Sequence, residues 1–427
     1  MRYQERTAKE GPFGSSTPSA KVPLKANTPP ESSQRRGGAK PGHCGHGRRN
    51  IPSEEVTRRQ SVPGPGHCPY CGRPLDPKGS KARTIIEVDP VRKEVVRYEL
   101  EQCDCGHCHR TFTARPAGVF AKGLFGNRLL THLAVEHYLQ GVTLGRLSAA
   151  LGIVQGSLWA ALHQLARRLA TVPQRLLLEY RRAAVRHADE TGWRTDGHNG
   201  YAWLFCTQRV SLFRFRQSRS ASVAKEVFGT HRLPGVLVVD RYNGYNRMPC
   251  AIQYCYAHLL REVQDLGKEF PDVDEVSQFV EGFAPRLADA MKLRALALPA
   301  TRFRQQALEL KVEIKALVHS PAQHPGIQKI QNIFREKASR LYHWAKNPAI
   351  PADNNRAERE LRPLVIARKI SFGSQSEQGA LTREILMSVL HTLRKRTPNV
   401  FEAFKRCLDG LSENEKRDPY SLLFDSS

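Results

Sequence analysis

Two short apolar runs, each closed by an aspartate, decide the fold: Val185-Arg186-His187-Ala188-Asp189 and Gly235-Val236-Leu237-Val238-Val239-Asp240. Both have strand length, β-branched residues and flanking turn residues. Between them, residues 201–207 and Ser211–Arg216 are further short apolar runs with turn residues between them. Residues before 175 and after 257 carry apolar side chains at helical spacing instead. Strands flanked by helices predict a mixed α/β architecture. A carboxylate at the end of a buried strand needs a cation or donors to offset its desolvation. Asp189 and Asp240 are therefore candidate functional residues as well as strand ends.

The whole chain has 427 residues, with 66 Lys and Arg against 41 Asp and Glu, a net charge of +25. This length predicts several domains. Apolar residues at 40% exclude a chain that is disordered throughout. A mean hydropathy of −0.49 and the lack of an apolar run of about 18 residues exclude a bundle of membrane spans. Residues 1–10 are polar and do not read as a signal peptide. Ten Cys, several only two or three apart, suit metal binding better than a disulfide framework. The positive excess predicts a polyanionic partner, nucleic acid before an anionic membrane surface.

Residues 1–62 are rich in Ser, Pro, Gly, Lys and Arg and read as a disordered basic arm. Residues 63–115 read as a small zinc-ribbon-like β unit. Cys68-x-x-Cys71 and Cys105-x-x-Cys108 are two turns that can aim four thiolates at one tetrahedral Zn²⁺, with Cys103 as an alternate ligand. A structural ion is what so small a unit needs. The alternating residues 83–88 and 95–100 predict a hairpin between the clusters. Residues 116–175 read as helical, with a helix, a turn holding Gly152, and a second amphipathic helix. In this helix-turn-helix, Gln155, Ser157, Arg167 and Arg168 are the candidate DNA contacts. Residues 176–375 hold the strands, interrupted by a helical stretch at about 259–350, and residues 376–427 form a helical C-terminal region and tail.

A third carboxylate stands in Asp353-Asn354-Asn355-Arg356-Ala357-Glu358-Arg359. With Asp353 as a helix cap, Glu358 falls about one turn into a helix. Two strand-end aspartates and a helix glutamate are a hard-oxygen set suited to two Mg²⁺ or Mn²⁺ ions. Glu360 lies about 200° around the helix from Glu358, so the two cannot face the same ions. Glu190 is expected to point away from Asp189 across the strand. Arg356, Arg359, Arg362, Arg368 and Lys369 form a basic run beside Glu358, a candidate phosphate track. His258 and Arg261 are further candidate DNA contacts.

Several blocks, in order, resemble the IS66 family of bacterial insertion-sequence transposases. They are Cys68-Pro69-Tyr70-Cys71-Gly72, His187-Ala188-Asp189-Glu190-Thr191-Gly192-Trp193, Val238-Val239-Asp240-Arg241-Tyr242-Asn243-Gly244-Tyr245, Cys255-Tyr256-Ala257-His258, Asp353-Asn354-Asn355-Arg356-Ala357-Glu358 and Asp418-Pro419-Tyr420. The resemblance implies an RNase H-like catalytic core with a helical insertion before the catalytic Glu. It also implies Asp189, Asp240 and Glu358 as a DDE triad. The N-terminal heptad helix common in that family is absent from residues 1–62.

The expected function is therefore a Mg²⁺-dependent DNA transposase acting on double-stranded DNA, both element ends and target. It is expected in the bacterial cytoplasm with the nucleoid, as a homo-oligomer on DNA, with accessory element-encoded proteins and no membrane partner. Two rivals are an RNase H-fold nuclease without strand transfer and a non-enzymatic zinc and helix-turn-helix DNA-binding regulator.

Overall fold

The computed structural model describes residues 93–425, apart from 105, 106, 108–110, 114, 115 and 122, together with residues 54, 56, 67, 71, 73 and 74. The basic arm, Cys68, Cys105, Cys108 and the expected strand at 83–88 lie outside the described residues. Contacts divide the chain into two units, 18–94 and the remainder. Within the first, an antiparallel bridge joins His67 to Pro74, with an exposed Cys71 between them.

The larger unit opens with a small hairpin, β1 (Gln102–Asp104) against β2 (Thr111–Thr113), with Cys103 opposite Phe112. This corrects the sequence expectation. Residues 95–100 are not a strand, and the Val95 and Tyr98 side chains are exposed. Alternation alone cannot hold a strand without a covered face. The observed pairing instead flanks the second Cys cluster.

Four helices follow: α1 (Asn127–Tyr138), α2 (Leu144–Leu151), α3 (Gln155–Arg168) and α4 (Val172–Arg182). Thr143 caps α2 by accepting the Arg146 N–H, and Gly152 ends it at φ +59°. Leu158, Leu162 and Leu165 recur at helical spacing along α3 and are almost fully buried.

Five strands form one mixed sheet: β3 (Val185–Thr195), β4 (His198–Cys206), β5 (Ser211–Arg216), β6 (Val236–Val239) and β7 (Ala251–Tyr254). The spatial order is β5-β4-β3-β6-β7. β3, β4 and β5 are an antiparallel meander, and β6 and β7 add in parallel beside β3. The crossover from β5 to β6 carries α5 (Ala221–Phe228). The short β7, between Cys250 and Cys255, was not anticipated from sequence.

The turn into β6 depends on Gly235. Its φ is +72°, and a Cβ there would sit 2.1 Å from the Ala184 carbonyl oxygen. That carbonyl accepts the Val236 N–H and starts the β3–β6 pairing. Gly235→Ala is expected to destabilise the fold by about 2 kcal/mol or more, since left-handed backbone alone costs a non-glycine residue about 1–2 kcal/mol. Chemical denaturation checks this, and an unchanged midpoint refutes it.

After β7 come α6 (Tyr256–Glu269), α7 (Asp274–Lys292), α8 (Ala300–His319), α9 (Pro325–Glu336) and the short α10 (His343–Lys346). This helical stretch separates β7 from α11 (Asn355–Ser371). The chain closes with α12 (Glu377–Arg396), α13 (Val400–Glu413) and α14 (Pro419–Phe424). No helix among the described residues is long and apolar enough to cross a membrane.

α12 seals the edge of the sheet. Thr392 Oγ1, Ser388 Oγ and Glu384 Oε2 accept the outward N–H groups of Ser211, Phe213 and Phe215 at 3.0, 2.9 and 3.1 Å. Four helical residues rise about 6.0 Å and two strand residues about 6.7 Å, so the spacings match. The unpaired edge of β5 is thereby satisfied by side chains. The other faces of α12 meet α1, α3, α4, α13 and α14. The boundaries expected near 175 and 376 are thus not gaps in the packing: helices from 127–182 and 377–424 share one core.

Candidate active site

Register brings the two aspartates together. Val185 pairs with Val236, Arg186 with Leu237 and His187 with Val238. Carried on by two residues, this parallel register sets Asp189 level with Asp240, the residue just beyond β6. Asp240 Oδ1 accepts the Tyr242 N–H at 2.9 Å, an Asx turn that leads the chain away. Asp189 Oδ1 accepts the Glu190 N–H at 2.9 Å.

Glu358 arrives from the far side of the sequence, in the first turn of α11. A helix N-terminus favours an anion. Its Oε1 is buried without a hydrogen-bond partner among the described atoms. The nearest cation-forming group is His258, whose Nδ1 lies 3.8 Å away and is likewise unpartnered. Glu360 turns elsewhere, to Lys395 Nζ at 2.7 Å and Ser211 Oγ at 2.7 Å.

Electrostatics show that the carboxylates share one site. The Asp189 carboxyl is pushed well above its ordinary value of 3.8, first by burial and then by Glu190, Asp240 and Glu358; the Glu190 N–H opposes this. Several carboxylates crowded into a partly desolvated site repel one another unless a cation joins them. The donors are hard oxygens, and one buried oxygen lacks a partner. The residues therefore fit a hard divalent cation such as Mg²⁺ or Mn²⁺.

Glu190 is a fourth member that sequence reasoning set aside. Its side chain is only 2% exposed and receives Arg219 Nε and Nη2 at 2.9 and 2.7 Å. The Tyr245 hydroxyl also donates to it. Burial raises its pKa, as does Asp240, while Tyr245 and Arg219 lower it. Although its side chain leaves the strand opposite Asp189, its charge still reaches both aspartates. Arg219 in turn stacks on Tyr242, 4.4 Å from the ring centre. Tyr245 lay within a quoted block, but nothing in sequence joined Arg219 to it.

Asn354 was also missed. It is 1% exposed, and its side chain joins His187 and the Ala188 carbonyl. Burial and nearby cations hold the His187 pKa down to about 3, so the ring is neutral. Cys255, His258 and Glu358 place ligand atoms within 4.8 Å of one another. Burial pushes the Cys255 thiol up to about 12, and its sulfur accepts the Asn354 N–H at 3.1 Å.

The remaining sequence candidates fall in different settings. Gln155, Ser157 and Arg167 are exposed on α3. Arg168 is half-buried, stacks on Phe120 at 4.2 Å and pairs with Glu415 at 3.6 Å. On α6, His258 faces Glu358 and Arg261 is exposed. On α11, Arg359, Arg362 and Lys369 are exposed and Arg356 is half-buried. Arg368 is different: its Nη1 donates to the Gly192 carbonyl at 2.6 Å and to Thr191 Oγ1 at 3.1 Å, bracing α11 against β3. Of the expected zinc ligands, only Cys71 and Cys103 are described, and both are exposed.

Comparison with known proteins adds two findings. The family model for the transposase IS66 family matches residues 122–382. That span contains all five strands of the sheet, Asp189, Asp240 and Glu358. The uncharacterized protein y4qI of Sinorhizobium fredii (strain NBRC 101917 / NGR234) is 26% identical over 318 residues, covering 65% of this chain. The match spans 58% of that relative's length.

Proposed function

The chain belongs to the IS66 family of transposases, and on that premise we propose that it is a DDE-type DNA transposase of an insertion sequence. The observation that carries this reading is the meeting of Asp189, Asp240 and Glu358, where the last two raise the pKa of the first. The strand order supports it: a three-stranded meander extended in parallel by two strands, in the order third, second, first, fourth, fifth, is that of an RNase H-like core.

In this reading Asp189, Asp240 and Glu358 hold two Mg²⁺ ions, or Mn²⁺ in their place. When bound, such ions polarise the phosphodiester and ease ionisation of the attacking oxygen. The chain's own work is placement and charge. Two carboxylates come from adjacent parallel strands, so their separation is set by sheet geometry. Glu358 comes from a helix that Arg368 braces against the same sheet. Arg356 before Glu358, and Arg359, Arg362 and Lys369 beyond it, line α11 and hold the DNA backbone. His258 on α6 lies beside the same carboxylate, and Arg261 is exposed about one turn further along that helix. Water attack on a phosphodiester frees a 3′-hydroxyl, and that hydroxyl attacks a target phosphodiester in line. Such transfer needs positioning and charge neutralisation more than covalent catalysis.

Element ends are read by α2 and α3 as a helix-turn-helix, with Gln155, Ser157 and Arg167 at the exposed face. Arg168 serves mainly to anchor the motif. Structural zinc on Cys68, Cys71, Cys105 and Cys108, with Cys103 as alternate, rests on their spacing in sequence. The location consistent with this reading is the bacterial cytoplasm, with the nucleoid. A homo-oligomer on DNA is the expected working form.

The test supplies element-end DNA with a pre-cleaved 3′-hydroxyl, target DNA and Mg²⁺. Joining of the two is expected. Cleavage of uncut ends without joining would identify a nuclease. End-specific binding with neither reaction, unchanged when all three carboxylates are replaced, would identify a regulator.

A further inference from the structure

Asn354 sits where three segments of the site converge. It precedes α11, four residues before Glu358. Its backbone N–H donates to Cys255 Sγ, 3.1 Å away, at the start of α6. Its side-chain Nδ2 donates to the Ala188 carbonyl at 2.9 Å, in the residue just before Asp189. Its Oδ1 lies 2.9 Å from His187 Nδ1. Since the amide nitrogen is committed to Ala188, Oδ1 is the acceptor, and the His187 proton sits on Nδ1. The side chain is 1% exposed, so each bond is shielded from competing water.

Sheet geometry alone sets the Asp189–Asp240 gap through the β3–β6 register. No such ladder joins Glu358 to either aspartate. Glu358 is delivered by a helix more than 110 residues later in the chain, after five intervening helices. A hinge at the entry to α11 would let Glu358 drift, because the Glu358 N–H is tied to the Asn354 carbonyl and moves with it. Arg368 braces the same helix, but 10 residues beyond Glu358. Glu360 ties α11 to β5 and α12 two residues beyond Glu358, but the clamp from the entry of α11 to the residue just before Asp189 is Asn354.

We propose that Asn354 is a positioning residue: by bridging the backbone before Asp189 to the start of the Glu358 helix, it sets the gap between the first and third carboxylates for a divalent cation. This rests on the reading that these carboxylates bind metal. Asn354 itself touches no reacting atom. Groups that orient metal ligands from behind typically change metal affinity by about 10–100-fold when removed. Mg²⁺ demands near-ideal octahedral geometry, whereas Mn²⁺ binds the same ligand types more tightly. Loss of the clamp therefore penalises Mg²⁺ more.

Gln253 provides a matched control. It is an equally buried amide, donating to the Tyr254 and Leu341 carbonyls and accepting the His343 N–H, but none of its side-chain bonds runs to β3 or to α11. The experiment titrates the full-length chain with Mn²⁺, following free ion by electron paramagnetic resonance, and repeats with Mg²⁺ as competitor. Asn354→Ala is expected to weaken Mn²⁺ binding by about 10-fold or more and Mg²⁺ binding by more. His187→Phe, which removes one arm of the clamp and keeps a ring, is expected to move both in the same direction by less, and it decides the matter if Asn354→Ala does not fold. Gln253→Ala is expected to lower the melting temperature and leave both affinities unchanged. Wild-type affinities in the Asn354 and His187 variants, or equal losses in the Gln253 variant, overturn the proposal. Asp189→Asn separates the two readings. If it leaves wild-type Mn²⁺ binding intact, or if the wild type binds none, the metal-site reading fails and the clamp fails with it. If it abolishes binding, the metal site stands and the Asn354 variants alone judge the clamp.

Discussion

Asp189→Asn is expected to abolish strand transfer and, at the same time, to raise the melting temperature of the metal-free protein. The two effects have one cause. Asp189 is buried beside Glu190, Asp240 and Glu358, and all of these push its pKa above 3.8. A carboxyl with a raised folded pKa binds its proton more tightly in the folded than in the unfolded chain. It therefore costs stability at pH values above its unfolded pKa, and the cost shrinks as pH falls toward 3.8. Asparagine has the same shape without the charge, so the cost disappears at neutral pH. A gain of a few degrees is expected, given that about 1 kcal/mol moves the melting point of a large domain by about 2–4 °C. Mg²⁺ should raise the wild-type melting point, because a ligand that binds only the folded state stabilises it. It should raise that of the variant much less. Catalysis loses an anionic ligand and with it several kcal/mol of charge stabilisation, on the order of 10³-fold or more at about 1.36 kcal/mol per factor of ten. Thermal melts with and without Mg²⁺, beside a joining assay on pre-cleaved ends, read both halves. A variant that melts lower than wild type without metal contradicts the crowding of charge at Asp189. A variant that still joins DNA contradicts the assignment of the triad.

The parts of this fold that were legible are those written in local patterns. β3 and β6 show themselves as short runs with β-branched residues, β4 and β5 as short apolar runs rich in aromatics, and α3 as leucines at helical spacing. Asp189 and Asp240 stand out because each closes an apolar run, but only Asp240 proves to be at a strand end: β3 runs on past Asp189 to Thr195, held by its pairing with β4. Glu358 needed its motif, since a charged residue in a charged helix has no local signal. β7 escaped because Ala251-Ile252-Gln253-Tyr254 is four residues long and has a buried Gln in its centre. That Gln is satisfied by the neighbouring Tyr254 carbonyl and by the distant Leu341 carbonyl and His343 and Trp344 N–H groups. The polar stripe Glu384, Ser388 and Thr392 reads as a solvent face in sequence, yet all three residues are buried against β5. Its meaning depends on a strand more than 160 residues away. Arg219 and Asn354 escaped for the same reason: their partners, Glu190, His187 and Ala188, are contacts made by topology. Local periodicity reports which face of an element is apolar, but not which distant backbone its polar groups complete.

The same nonlocal packing predicts a marked acid sensitivity. Between pH 8 and 5 the protein is expected to lose about 4 kcal/mol through two histidines remote from the carboxylates. His137 on α1 is held down to about 4, first by burial and then by the neighbouring Arg383, with a bond to the Val142 carbonyl opposing. His391 on α12 is held down to about 3 by burial and Arg394, partly offset by a bond to the Tyr138 carbonyl, with Lys395 a smaller cationic contribution. The charged groups facing both rings are cations, so neither can protonate cheaply where it sits. In the unfolded chain both rings titrate near 6.5. Below that pH the unfolded state takes up protons that the folded state refuses, so stability is complete above 6.5 and falls as pH drops toward the folded values. By pH 5 this amounts to about 2 kcal/mol per ring, at about 1.36 kcal/mol for each tenfold change. Carboxylates of ordinary pKa remain ionised in this window, while Asp189 and Glu190, whose pKa values are raised, act in the opposite direction. The variants His137→Gln and His391→Gln isolate the histidine contribution from that background. Each is expected to reduce the fall in denaturation free energy between pH 8 and 5 by about 2 kcal/mol, while the buried His187, held down to about 3, contributes a like share that both variants keep. Because His137 bonds Arg383 and His391 bonds Tyr138, the strain of acidification falls on the contact between α1 and α12. Helix α12 also satisfies the outward N–H groups of β5, so loosening it exposes the edge of the sheet. Hydrogen exchange at Ser211, Phe213 and Phe215 should accelerate at pH 5, relative to the intrinsic rate, before exchange in β3 does. Protection that is lost uniformly across the sheet would show instead that acid acts on the fold as a whole.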